Sequence, residues 1–349
     1  LALGVASLIF GFPIFFDAGL IVMMPIIFSV AKRFGGSLLI YALPAAGAFA
    51  VMHAFVPPHP GPVAAAGFLG ADMGLLLLVG LLVAAPTWYL GSYLFGLYSG
   101  NKFNIPLSNL LYSTESNSQP KKLPKFTTVM ALLLLPMLLI FLDTGLNTLT
   151  ASGIIDGSNP FTRALRMIGK TPIALLITLL VCLLVFVKDY GMKELDRLCS
   201  ESLAPICGVI LITGAGGMYG GVLRSSGIGS ALAGLLNDTG MPVIVAAFVI
   251  ATCLRVAQGS ATVALTTTAA LISPMVAATV GLSSLDLCFI VIAIAGGATV
   301  LSHFNDSGFW LVSRLLGMDE KTTLKTWTVM ETLLGSIAFL IVWVLSWVF

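Results

Sequence analysis

The sequence predicts an all-α polytopic membrane protein made of two inverted repeats, each with a re-entrant hairpin, a broken helix and a full span. Three observations carry this. The 349 residues are 58% hydrophobic and only 9% charged, with mean hydropathy +1.04, whereas a soluble domain carries about 25% charged residues. Windows without any charge run over Phe34–Ala71, Met73–Asn101, Thr171–Val187, Ser202–Leu223, Val256–Leu285 and Thr332–Phe349, and about 20 largely apolar residues cross a bilayer. Two small-residue runs, Ala45–His53 and Ala295–His303, each end in His and lead into segments that do not continue a helix, Pro57–Pro62 and Asn305–Gly308. Interrupted spans at corresponding places in two halves point to a transporter's substrate site.

Leu1–Ala31 carries Gly11, Pro13, Asp17 and Gly19 at its middle, and Met241–Gly281 carries Arg255, Gln258, Gly259 and Ser260 in the corresponding place. Both read as re-entrant hairpins whose irregular tips reach the midplane from opposite faces, because non-helical backbone at that depth must be buried or line a wet cavity. A broken helix follows each hairpin, and then one ordinary span, Leu75–Tyr98 or Thr326–Phe349. Between the copies, the polar Ser99–Phe126 segment, rich in Lys, reads as a cytoplasmic loop. Thr127–Leu149 then crosses outward and Thr150–Lys170 is external despite Arg163, Arg166 and Lys170. Thr171–Val187 crosses back, Lys188–Ser202 is a charged cytoplasmic connector, and Leu203–Leu223 crosses again through the glycine run Gly214–Gly221. The expected organisation is a first repeat over 1–98, N-terminally incomplete, a loop over 99–126, linking spans over 127–201 and a second repeat over 202–349. Because the sequence opens with Leu inside an apolar run, it is expected to be a fragment or a trimmed chain.

Three polar constellations lie inside apolar stretches, where ionisable groups are costly and default to functional hypotheses. Asp17 fits a proton carrier or an acceptor for substrate hydroxyls; the plain alternative is a fixed ion pair with a neighbouring helix. The stretch Arg255–Thr262 concentrates donors at one turn. Arg255 suits a carboxylate bidentately, Gln258, Gly259, Ser260 and Thr262 surround the same point, and the N–H groups of the next half-helix aim at it. The alternative is that its hydroxyls merely bond back to their own helix. The run Ser302–Trp310 places His303 and Asp306 to hold or relay a proton and Asn305 and Ser307 to bond hydroxyls, or else forms a satisfied kink. His53 and His59 fit either titration during transport or an ordinary buried hydrogen bond.

Other chemistries are not supported. The cysteines Cys182, Cys199, Cys207, Cys253 and Cys288 form no C-x-x-C and read as packing residues, so no metal site is expected. Gly214–Gly221 lacks the spacing of a phosphate loop, and its interlocked Gly216/Gly220 and Gly217/Gly221 pairs suit close helix packing. No glycine stands five residues before Lys170, so ATP-driven transport is not expected. No basic stripe suggests nucleic acid. A channel needs polar rings along a pore, whereas the polar groups here cluster at one depth. An intramembrane hydrolase is disfavoured because no G-x-S-x-G occurs.

Five collinear blocks, Phe15–Phe28 (FFDAGLIVMMPIIF), His53–Pro62 (HAFVPPHPGP), Gly214–Leu223 (GAGGMYGGVL), Arg255–Ala264 (RVAQGSATVA) and Ser302–Leu311 (SHFNDSGFWL), closely resemble the gluconate permease family of bacterial inner-membrane symporters. The resemblance spans essentially the whole chain. It implies an elevator-type transporter of the wider ion transporter superfamily, often a homodimer, with further N-terminal segments. It also implies proton-coupled uptake of gluconate or a related sugar acid, some members carrying D-serine or other substrates, with the proton as coupling ion and no other cofactor. In that frame Arg255 holds the carboxylate, Gln258, Gly259, Ser260, Thr262, His303, Asn305, Ser307 and His59 contribute to substrate binding, and Asp17, Asp306 and His53 are the proton-coupling candidates.

Overall fold

The computed structural model describes residues 1–12, 14–105, 124–151, 155–201, 218, 226 and 241–349. No strand occurs among the described residues. Among the described residues, five helices are long and apolar enough to cross a membrane: Leu39–Leu69, Met73–Lys102, Pro172–Tyr190, Ala261–Ala278 and Glu320–Val348. The chain divides into two compact units, one of Leu1–Ala71, Leu76–Leu111 and Leu211–Phe349, the other of Asp72–Leu75 and Tyr112–Ile210.

The first unit begins with helices α1 (Ala2–Gly11) and α2 (Phe16–Phe34), separated by a short break. Next come α3 (Leu39–Phe55), α4 (Pro60–Leu69) and α5 (Met73–Lys102). Helix α3 is apolar or small on every face and is buried along nearly its whole length, as expected for a helix enclosed by others. It ends at Phe55, two residues before Pro57, since the residue ahead of a proline is pushed out of the helical region. All four prolines of Pro57–Pro62 were expected to break the helix, but only Pro57 and Pro58 do so. Pro60 and Pro62 fall in the first turn of α4, where a missing N–H is harmless and the fixed φ suits a helix start.

The same order of elements recurs in the second half. Helices α10 (Val243–Gln258) and α11 (Ala261–Ala278) are separated by Gly259 and Ser260. They are followed by α12 (Ser284–Thr299), α13 (Ser307–Leu316) and α14 (Glu320–Val348). Helix α12 starts from a capping box in which Ser283 and Asp286 satisfy each other's backbone N–H groups. Every residue from Cys288 to Thr299 is buried. The chain leaves α12 through Leu301, the one described non-glycine residue with positive φ, at 54°.

The expected ordinary spans, Leu75–Tyr98 and Thr326–Phe349, prove longer and irregular. Each is a helix interrupted by a π-helical segment, Tyr89–Leu94 in α5 and Leu324–Thr328 in α14. Close contacts seat these long helices. Ser92 of the first π segment donates to the Leu43 carbonyl at 3.0 Å and Trp88 to the Pro44 carbonyl at 2.8 Å. Gly296 of α12 and Gly335 of α14 meet backbone to backbone, so a Cβ at Gly296 would lie 2.7 Å from the Gly335 carbonyl oxygen.

The second unit contains α6 (Phe126–Ala151), α7 (Pro160–Gly169), α8 (Thr171–Tyr190) and α9 (192–201). The segment expected as an external loop, Thr150–Lys170, holds the helix α7, whose N-terminus Asn159 caps by accepting from the Phe161 N–H at 2.9 Å. Two of its basic residues, out of place by charge count alone, are paired: Arg166 and Lys170 contact Asp143 of α6 at 3.2 and 3.0 Å. The connector expected over 188–202 is also mostly helical, with Arg197 bridging Glu194 and Glu201. The loop expected over 99–126 is trimmed by helix at both ends, since α5 runs to Lys102 and α6 starts at Phe126. Most of that loop, and the span and glycine run expected over 203–223 apart from Met218, lie outside the described residues.

Candidate functional site

Four interruptions of helix meet inside the first unit: the α1–α2 break, the α3–α4 break, the Gly259–Ser260 tip between α10 and α11, and the α12–α13 break. Local sequence explains each opening. Gly259 adopts φ +80°, a left-handed conformation that closes α10 and that side chains resist. Ser260 then caps α11 by accepting from the Val263 N–H at 3.4 Å. Asp306 caps α13, its Oδ1 accepting from the Gly308 N–H at 3.0 Å.

The cap is also half of a buried ion pair. Arg255 is 2% exposed and donates through Nη2 to Asp306 Oδ2 at 2.5 Å. Its Nη1 donates to the Gly259 carbonyl, and its Nε finds no partner. Ser302 donates its hydroxyl to the same Asp306 oxygen and accepts from Trp327 Nε1 at 2.7 Å. Thr328 donates to the Ser302 carbonyl, and the Leu301 N–H donates to Thr332 Oγ1 at 3.3 Å. The second break is therefore fastened on one side to the tip of α10 and on the other to the π segment of α14 and the turn after it. Asn305 adds a third tie, its side-chain amide donating to the Val256 carbonyl at 2.8 Å.

A second cluster forms at the first break. His53 Nε2 lies 3.3 Å from Thr262 Oγ1, and His59 Nε2 donates to the Gly11 carbonyl at 3.0 Å. The two imidazoles pack at 4.9 Å between centroids, with Phe15 against both at 5.7 and 6.2 Å. The stretch Gln258–Thr262 thus touches both breaks, through Thr262 at the first and Gly259 at the second. The α1–α2 break closes the circle, since Phe16 packs on Trp327 at 5.3 Å.

The residues singled out from sequence distribute around this core. Arg255, Gly259, Asn305 and Asp306 form the ion-pair cluster, and His53, His59 and Thr262 the histidine cluster. Ser260 caps α11 between them. Gln258, Ser307 and Asp17 are exposed beside it, and the charges of Asp17 and Asp306 interact. His303 contributes its carbonyl to the Asp306 N–H at 2.9 Å and is half-buried. Sequence reasoning assigned no role to Ser302, Trp327, Thr328 or Glu331. Ser302 lay in a quoted motif, and Glu331 is a lone acid at the edge of a charge-free window; Trp327 and Thr328 carried no signal. Among the described residues, no group of three or more His, Cys, Asp or Glu side chains is placed to hold a metal ion.

Helices this long and apolar fit a polytopic helical membrane protein. Comparison with known proteins makes this specific. Residues 1–348 match the model of the GntP family permeases. The "Gluconate permease" of Pseudomonas aeruginosa is 36% identical over 344 residues, covering 98% of this chain and 75% of that protein. The "Inner membrane permease YgbN" of Escherichia coli K12 is 37% identical over 353 residues, covering 98% and 76%. The "Low-affinity gluconate transporter" of the same strain is 33% identical over 342 residues, covering 97% and 75%. This chain belongs to the GntP permease family.

Proposed function

We propose that this protein is a secondary active transporter, not an enzyme, that takes up gluconate or a related sugar acid together with protons across the bacterial inner membrane. One observation carries the mechanistic part: four helix interruptions gather at two clusters joined by Gln258–Thr262, the buried Arg255–Asp306 pair and the His53–His59–Thr262 group, with Gln258, Asn305, Ser307 and Asp17 exposed beside the pair. The names of the relatives support the sugar acid as substrate. The recurring order of broken helix pair, broken helix and long π-interrupted helix supports an inverted-repeat, elevator-type transporter, and a homodimer is part of the same reading.

In this mechanism the empty site satisfies Arg255 with Asp306. A proton on Asp306 would free the guanidinium, whose planar fork then takes the substrate carboxylate. Gln258, Asn305 and Ser307 would bond its hydroxyls. Protonation and anion binding then assist each other, as linkage requires. The histidine cluster and Asp17 are the further proton-carrying candidates. Uptake of radiolabelled gluconate into proteoliposomes tests the proposal. Saturable uptake above equilibrium, driven by an inward proton gradient and abolished by a protonophore, is the expected result. Gradient-independent, non-saturable flux would overturn it. Because the similar YgbN permease is named without a substrate, competition by a panel of sugar acids, other small organic anions and D-serine would fix the specificity.

A further inference from the structure

Glu331 takes no part in the mechanism above, yet it is the most enclosed acid near the site. It is 4% exposed, and its Oε1 has no hydrogen-bond partner. It stands on α14 one turn after Trp327 and one turn after Thr328, which fasten the second break through Ser302. Its neighbour Thr332 receives the Leu301 N–H. This stretch of α14 thus presents three ties to the break and a buried carboxyl among them. The charges that act on this carboxyl are Arg255 from α10 and Asp306 from the second break. Of the other elements packed on α14, α3 carries Tyr41 and His53, the π segment of α5 Tyr89 and Tyr93, α12 Asp286 and Cys288, and α13 Arg314, while α10 adds Cys253.

Arg255 is one cation facing two carboxyl groups in a region shielded from water, where an uncompensated charge is costly. Asp306 already uses both oxygens, accepting from Arg255, Ser302 and the Gly308 N–H. Glu331 has an oxygen that receives no donor. A proton on the unpartnered acid makes the group neutral as a whole. A π segment lies directly N-terminal to this turn, and such segments recur at functional sites.

We propose that Glu331 holds an exchangeable proton while Arg255 and Asp306 are paired, with those two groups as its charge partners. The functional half rests on the transport reading above; the assignment of the proton does not. The test is infrared spectroscopy of the lipid-reconstituted protein, as the difference between acidic and alkaline buffer. The wild type should show a carboxylic-acid C=O band sensitive to deuteration, and Glu331→Gln should lack it. An intact band in folded Glu331→Gln would overturn the assignment. Should that variant not fold, Glu331→Asp keeps the acid on a shorter arm and should shift the band, while an unshifted band would also overturn it. In proteoliposomes, the ratio of gradient-driven gluconate uptake to equal-pH exchange should fall about tenfold or more in Glu331→Gln, as for loss of a positioned proton donor. A parent-like ratio would remove Glu331 from coupling. If the wild type itself shows no gradient-driven uptake, the coupling reading falls, and the infrared result still decides where the proton resides.

Discussion

Arg255 divides its donors between a carboxylate and a carbonyl of its own turn, and leaves Nε unused. Removing the cation strands Asp306, and breaking a buried pair costs about 3–5 kcal/mol. Arg255→Gln should therefore lower the melting temperature in detergent and nearly abolish gluconate binding by calorimetry. Arg255→Lys keeps the charge without the fork and should raise the Kd about tenfold, about 1.4 kcal/mol. Unchanged affinity in a folded Arg255→Gln protein would mark the arginine as purely structural. Asp306→Asn keeps the shape but carries no exchangeable proton, so concentrative uptake should fall more than exchange without a gradient; equal losses would count against proton carriage. Arg255, Asp306 and both histidines were legible because polar groups in apolar runs are conspicuous. That Arg255 needs a counter-charge was legible too, with Asp17 or Asp306 to supply it; which of the two does so, and the other partners, were not. Arg255 and Asp306 are 51 residues apart, His53 and Thr262 are 209 apart, and no local pattern encodes those pairings. Trp327 was invisible because an aromatic in a greasy helix is unremarkable until its Nε1 finds Ser302.

Helix termini were read well where proline or glycine sets them, as at Phe55 and Gly259. They were read less well where the chain continues in an altered winding. The π segments of α5 and α14 contain no proline, and Tyr89–Leu94 looks like any other apolar stretch. Close helix packing was expected at Gly216 to Gly221, outside the described residues; within them, Gly296 against Gly335 is such a contact. Both positions lie on buried helix faces, where small residues let backbones approach. Gly335→Leu should force α12 and α14 apart and lower thermal stability in detergent well beyond the effect of a Leu placed at the exposed position Val344. Equal melting temperatures for the two variants would show that the contact is incidental.

Taken as a molecule, the protein sets its two halves' breaks against a single structural strip, Gln258–Thr262. The order of elements was legible from sequence, because a helix pair, a broken helix and a long helix recur at matching positions. That the breaks should come together followed from that repetition; which residues would join them, Gly259 and Thr262, did not, since it depends on tertiary packing. The seam on the Gly259 side has a mechanical consequence. A Cβ at Gly259 would sit 2.7 Å from Asn305 Cγ, and closer still to the Asn305 backbone. The joint therefore has no clearance, and a single methyl group would act as a wedge. Gly259→Ala should fold, because α10 and α11 keep their packing elsewhere, yet it should jam the protein with its tip prised off the second break. Packed elements of this kind switch between discrete arrangements and do not yield gradually. Turnover in proteoliposomes should thus drop about tenfold or more at unchanged protein yield, a loss of the size a small misplacement near a site produces. A parent-like rate would mean the seam parts freely during every cycle, and the wedge would then have nothing to hold open.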